Sequence, residues 1–101
     1  MIYPRLTIVV LLFVKINFYT TLGCHLCDQA LDLVKILQVR NSHMVVTEID
    51  IADSEELMAE YGIRIPVVKL EATDDDIGWP FTLEALADYL GEHSAGASLN
   101  Q

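Results

Sequence analysis

Two cysteines, Cys24 and Cys27, lie in the stretch YTTLGCHLCDQA, and the chain has no others. That spacing admits three chemistries: a structural disulfide, part of a metal site, or a dithiol that cycles. As a structural cross-link the pair would do little, because a bridge closing so short a loop hardly constrains the unfolded chain. A structural zinc site takes four ligands, commonly two such cysteine pairs or one pair with two histidines. Beyond the thiols this chain offers His25, His43 and His93, with no second pair at ligand spacing. His25 stands between the cysteines and cannot easily share their face, so a metal or iron–sulfur site would need ligands from two chains. Dithiol exchange asks for less: one accessible thiolate, and a second thiol near enough to resolve a mixed disulfide.

The local sequence suits that last chemistry. Cys24 falls where a strand gives way to a helix, and there the unpaired backbone N–H groups and the helix dipole favour a thiolate. Cys27 follows one turn later on the same face, within the roughly 4.4–6.8 Å Cα separation a disulfide accepts. Gly23 removes a side chain just before Cys24 and eases a partner's approach. His25, if protonated, would favour the Cys24 thiolate by proximity of charge; otherwise it is a half-exposed histidine without a tuning role. Asp28 pulls the other way, and is more simply an acid placed for the dipole in a first helical turn.

The elements that must hold these residues are readable from periodicity. KINFYT, Lys15 to Thr20, alternates as a strand does, and Thr21 to Gly23 form a loop. A helix follows with Leu26, Ala30, Leu33, Val34 and Leu37 on its inner face and Asp28, Asp32, Lys35 and Gln38 outside. After a polar break at Arg40 to His43, MVVTEIDI, Met44 to Ile51, reads as a second strand. Asp53 with Glu56 resembles a capping box opening a helix to about Tyr61, stopped by Gly62. IPVVKL, Ile65 to Leu70, is a third strand that begins at a proline. Glu71 to Asp76 is an acidic turn and Ile77 to Trp79 a short fourth strand. Thr82 caps a last helix with Leu83, Leu86, Ala87 and Leu90 on one face, ending before Gly91. The order β-α-β-α-β-β-α predicts an α/β fold: a four-stranded mixed sheet, its first two strands parallel and its last two an antiparallel hairpin, flanked by helices on both faces.

Composition bounds the rest. A chain of 101 residues, 52% hydrophobic and 21% charged, supports one domain with a real core. A net charge of −9, with basic residues only at Arg5, Lys15, Lys35, Arg40, Arg64 and Lys69, argues against nucleic acid as a partner. Residues 1–14 form an apolar extension containing LTIVVLLFV, which is shorter than the ~20 residues of a membrane-spanning helix. No small-x-small cleavage site follows it. It remains open to three readings: a long first strand or disordered extension, a segment packing on another chain, or a membrane-proximal anchor. Residues 15–91 form the domain and 92–101 a polar, flexible tail. The expected compartment is the cytoplasm.

FYTTLGCHLC, followed further on by YGIRIPVV and then by GWPF, resembles the thioredoxin superfamily, and within it the small bacterial glutaredoxin-like proteins. The resemblance runs from Lys15 to Gly91. It implies a thioredoxin-like fold and thiol–disulfide oxidoreductase activity on a disulfide-containing protein or a small thiol; the alternative is a non-catalytic binding module on the same fold, or a dimeric metal or iron–sulfur protein. By the same resemblance Cys24 matches the nucleophile and Cys27 the resolving thiol. Pro66 matches a cis-proline whose loop, with Arg64 and Ile65, aligns a substrate, and Tyr19 matches an aromatic ending the first strand. No metal or bound cofactor is implied. Glutathione-binding relatives usually have a basic residue where this chain reads TTLG, Thr-Val-Pro where it reads Arg64-Ile65-Pro66, and a Gly-Gly pair where it reads Gly78 and Trp79. Arg64 could meet a glutathione carboxylate, but ATDDDI is expected to set three acids beside it, which argues against glutathione. Thioredoxins differ too, with WCGPC and a buried acid in the preceding strand, whereas Ile16 to Gly23 holds no carboxylate.

Overall fold

The computed structural model describes residues 14–95. The apolar stretch upstream of Val14, with the three readings offered for it, lies outside the described residues.

Strand β1, Val14–Thr20, buries Ile16 and Phe18 toward one face of the sheet and Tyr19 toward the other. Helix α1, His25–Arg40, follows it, and then β2, Met44–Asp50, pairs with β1 in parallel. A short 3-10 turn at Ile51–Asp53 leads into helix α2, Glu55–Tyr61. Strands β3, Val67–Leu70, and β4, Asp76–Gly78, form the hairpin, and helix α3, Leu83–Ala95, closes the chain. The sheet order is β2-β1-β3-β4, with β3 antiparallel to both its neighbours. This is the mixed α/β arrangement that the periodicity predicts.

Two apolar layers sandwich the sheet. On one side Ile16, Phe18, Val68 and Leu70 meet Cys27, Ala30, Val34 and Leu37 of α1 and Leu86, Tyr89 and Leu90 of α3. On the other side Tyr19 and Val67 pack with Ile51 and Tyr61. Fully burying a side chain of this size contributes about 1.5–3 kcal/mol, so the larger layer dominates the stability. Tyr89 adds a polar tie: its hydroxyl accepts from the Leu70 N–H at 3.1 Å and donates to the Asp75 carbonyl at 2.7 Å. Among the described residues, no helix is long and apolar enough to cross a membrane.

Several local expectations are corrected. Leu26 is 46% exposed and does not belong to the inner face of α1, where Cys27 takes the first-turn position. The N-cap of α2 is Ser54, not Asp53: the Ser54 hydroxyl accepts from the Leu57 N–H at 3.1 Å. Asp53 instead ends the 3-10 turn, which Asp50 caps through the Ala52 N–H. Strand β3 starts after the proline, and β4 begins one residue earlier than its sequence pattern indicates. Gly91 does not stop the last helix, which continues to Ala95 into the predicted tail.

Candidate functional site

Cys24 is the N-cap of α1. Its backbone is extended (φ −89°, ψ 101°), so its side chain turns back over the open first turn. There Sγ accepts the Cys27 N–H at 3.1 Å, and the Asp28 N–H bonds the Cys24 carbonyl at 3.2 Å. The two cysteines are joined as a disulfide with a Cα separation of 5.2 Å. They differ in environment: Cys24 is partly exposed, whereas Cys27 is 3% exposed and belongs to the core. Gly23 makes the turn from β1 into α1 with φ 79°, a left-handed conformation that side chains disfavour. No atom lies within 4 Å of where a Cβ would stand, so glycine is required there for its backbone and not for space.

The sheet brings the proline to the same end. Because β3 runs antiparallel to β1 with Val67 opposite Tyr19, Ile65 and Pro66 arrive at the carboxyl end of β1, from which the chain departs toward Cys24. The Ile65–Pro66 peptide is cis, as the resemblance implies, and so is Trp79–Pro80. Cys24 and Ile65 pack against the same core layer. The Pro66 carbonyl accepts the Trp79 N–H at 3.0 Å, which ties the proline to the residue after β4.

Behind the proline lies a connected group. Tyr19 and Tyr61 stack with ring centroids 4.2 Å apart and planes inclined by 18°. The Arg64 guanidinium sits 5.7 Å from the centre of the Tyr61 ring and grips Asp76 through two bonds, of 2.5 and 3.3 Å. The bond to Asp76 holds the Arg64 guanidinium above its already high range. The Tyr61 hydroxyl is pushed up to about 12, first by burial and then by Tyr19 beside it. Arg64 is thus engaged with a carboxylate of its own chain.

Of the residues the sequence singles out, Cys24, Cys27, Tyr19, Ile65 and Pro66 converge at one end of the sheet. His25 is exposed in the first turn of α1. His43 lies at the opposite end, where its carbonyl accepts the Val14 N–H. The His93 side chain is outside the described residues. Among the described residues, no three His, Cys, Asp or Glu side chains gather as a metal site would require. Asp74 and Asp75 belong to the β3–β4 turn at the far end of the sheet; of the three acids expected beside Arg64, only Asp76 is there. Local periodicity gives no signal for the Arg64–Asp76 pair or the Tyr19–Tyr61 stack. The one available hint to the stack is an aromatic closing the helix just before the Arg64-Ile65-Pro66 bend.

The sequence profile of the Glutaredoxin-like domain (DUF836) matches residues 15–91. Among solved structures, the X-ray structure of target protein XcR50 from X. campestris is 30% identical, with a TM-score of 0.65, covering 76% of this chain and 96% of that one. The solution structure of protein Ne2328 from Nitrosomonas europaea is 26% identical, with a TM-score of 0.64, covering 75% of this chain and 89% of that one. The oxidised thioredoxin from Plasmodium falciparum shares the fold at 16% identity, with a TM-score of 0.62 and 92% of each chain covered. No curated protein matches the sequence.

Proposed function

Because the chain belongs to the glutaredoxin-like domain family, we propose that it is a thiol–disulfide oxidoreductase exchanging its Cys24–Cys27 pair with disulfides of proteins or small thiols. The observation that carries this reading is the disulfide across the first turn of α1, with one sulfur at the helix cap and the other in the core. In the reducing direction the Cys24 thiolate attacks a substrate sulfur, and the substrate's other sulfur leaves as a thiolate that takes up a proton. Cys27 then gives up its proton and attacks the Cys24 sulfur, which releases the second substrate thiol and leaves the Cys24–Cys27 disulfide. Two electrons pass to the substrate, and a dithiol reductant restores the pair.

Cys24 takes the nucleophile's part because it is the accessible sulfur and the one beside free helix N–H groups. Cys27, buried one turn behind, resolves. The Ile65–Pro66 bend borders the position an incoming disulfide would occupy, while Tyr19 is buried behind it in the opposite layer and packs on Tyr61. No bound cofactor is needed. A reducing compartment such as the cytoplasm suits a cycle that starts from the dithiol.

Equilibration with graded reduced and oxidised dithiothreitol, followed by thiol trapping and mass measurement, tests the reading. A reversible two-electron transition, abolished in Cys24→Ser, is expected. Thiols that never pair across the range would leave the fold without this activity.

A further inference from the structure

We infer that the Cys24 end of the sheet selects polypeptide disulfides flanked by apolar and cationic side chains over anionic small disulfides such as oxidised glutathione. The inference rests on the dithiol reading above and names its substrate class.

The first ground is where the exposed apolar side chains lie. Leu22, two residues before Cys24, is 90% exposed, and Leu26, two residues after it, is 46% exposed. Ile63, three residues before Pro66, is fully exposed. Single exposed apolar residues are ordinary on any protein. These three all fall within three residues of Cys24 or Pro66, and two of them, Leu22 and Ile63, are the most exposed of the large apolar side chains among the described residues; Ile36, Val39, Val45 and Met58 lie elsewhere. Such side chains gain by being covered only if the ligand brings apolar surface of its own. Glutathione has no large apolar side chain; a polypeptide segment does.

The second ground is charge. Strands β1 and β2 are parallel with Thr20 opposite Asp50, so the chain from Asp50 onward starts at the Cys24 end. That chain carries Asp50, Asp53, Glu55, Glu56 and Glu60 before any basic residue. Lys15 lies toward the start of β1 and Arg40 in the last turn of α1, both at the opposite end, while Lys35 stands past the middle of α1 and Lys69 opposite Asn17 in the middle of β1. Arg64, beside the proline, is held by Asp76. Among the described residues the site end is therefore anionic, and it attracts cations and repels carboxylates over roughly a Debye length, about 10 Å at 0.1 M salt. Glutathione brings carboxylates into that field, and a lysine-bearing peptide brings the complement.

The test is single-turnover exchange. The reduced full chain is mixed with two disulfide peptides of equal length, one flanked by Leu and Lys and one by Ser and Glu. Oxidised glutathione and the uncharged bis(2-hydroxyethyl) disulfide are run in parallel, and formation of the Cys24–Cys27 disulfide is read by thiol trapping. At low ionic strength the Leu/Lys peptide should react about tenfold faster than the Ser/Glu peptide and than glutathione, and the gap should narrow several-fold near 0.5 M salt. Leu22→Ser and Ile63→Ser should each slow the Leu/Lys peptide about threefold. Val39→Ser, an equally exposed residue near the far end of α1, should change nothing. Equal rates for peptides and glutathione, a glutathione rate above the rest, or insensitivity to both substitutions would overturn the inference while leaving the dithiol reading intact. Failure to exchange with any disulfide, bis(2-hydroxyethyl) disulfide included, would remove both.

Discussion

The two cysteines should part company when an alkylating agent is offered to the reduced protein, and the size of the difference follows from their surroundings. The Cys27 N–H points at the Cys24 sulfur from 3.1 Å. A hydrogen bond to a charged group contributes about 1.5–3 kcal/mol, and each ~1.4 kcal/mol is a factor of ten in the charged population. The lower figure alone raises the Cys24 thiolate fraction at neutral pH about tenfold. Nucleophilicity falls as basicity falls, with a slope near 0.4–0.5, so roughly a threefold rate gain survives. Cys27 is 3% exposed and must wait for local opening. An opening free energy of only ~1.4 kcal/mol slows it a further tenfold. Together these give about thirtyfold in favour of Cys24. A brief iodoacetamide pulse at pH 7, acid quench and fragment-ion analysis measures the ratio directly. The Cys27→Ser variant should show a pH–rate midpoint below the ~8.5 of a free thiol. A ratio near one, a faster Cys27, or a midpoint at or above the free value would mean that the roles are reversed or that the helix cap does not activate the sulfur.

Gly23→Ala should cost about 1–2 kcal/mol in chemical denaturation although nothing crowds the new methyl, since the penalty lies in φ 79°. Asp76→Asn should lower stability by no more than about 1 kcal/mol, because the Arg64–Asp76 pair is partly exposed, and a double-mutant cycle with Arg64→Met should recover that coupling. Absorbance titration should reveal a tyrosine ionising near pH 12 that Tyr61→Phe removes. The native protein keeps this proton while the unfolded chain releases it near pH 10, so the contribution to stability is intact below pH 10 and lost as pH rises toward 12. A Tyr61→Phe protein with an unchanged stability profile across that window would contradict the assignment.

Much of the scaffold was legible because its signals are local. Alternation in Lys15 to Thr20 and a helix opening at the cysteines place Cys24 at a strand–helix junction without knowledge of long-range contacts, whereas the place of Pro66 beside it is implied only by the resemblance. Errors arose where two neighbours satisfy one rule. Leu26 and Cys27 both continue the helical stripe through Ala30 and Val34, and only the docking of α1 on the sheet decides which turns inward. Asp53 and Ser54 both suit a cap; the intervening 3-10 turn leaves Ser54 in the extended conformation a cap needs (φ −138°). Gly91 weakens a helix by about 1 kcal/mol relative to alanine, which does not forbid its continuing. The Arg64–Asp76 pair and the Tyr19–Tyr61 stack join residues distant in sequence, and no periodicity reports such contacts. The acidic turn misled for the same reason: Asp74 and Asp75 are close to Asp76 in sequence, yet the hairpin carries them away from the sulfurs.

The strand leading to Cys24 is an interior one, flanked by β2 on one side and β3 on the other. Its amides are flanked on both sides, while β2 and the three-residue β4 form the two borders of the sheet. Between the β4 border and the strand that leads to Cys24 stands β3. The helix that carries the sulfur pair is thus entered from a strand held on both sides, not from one at an edge.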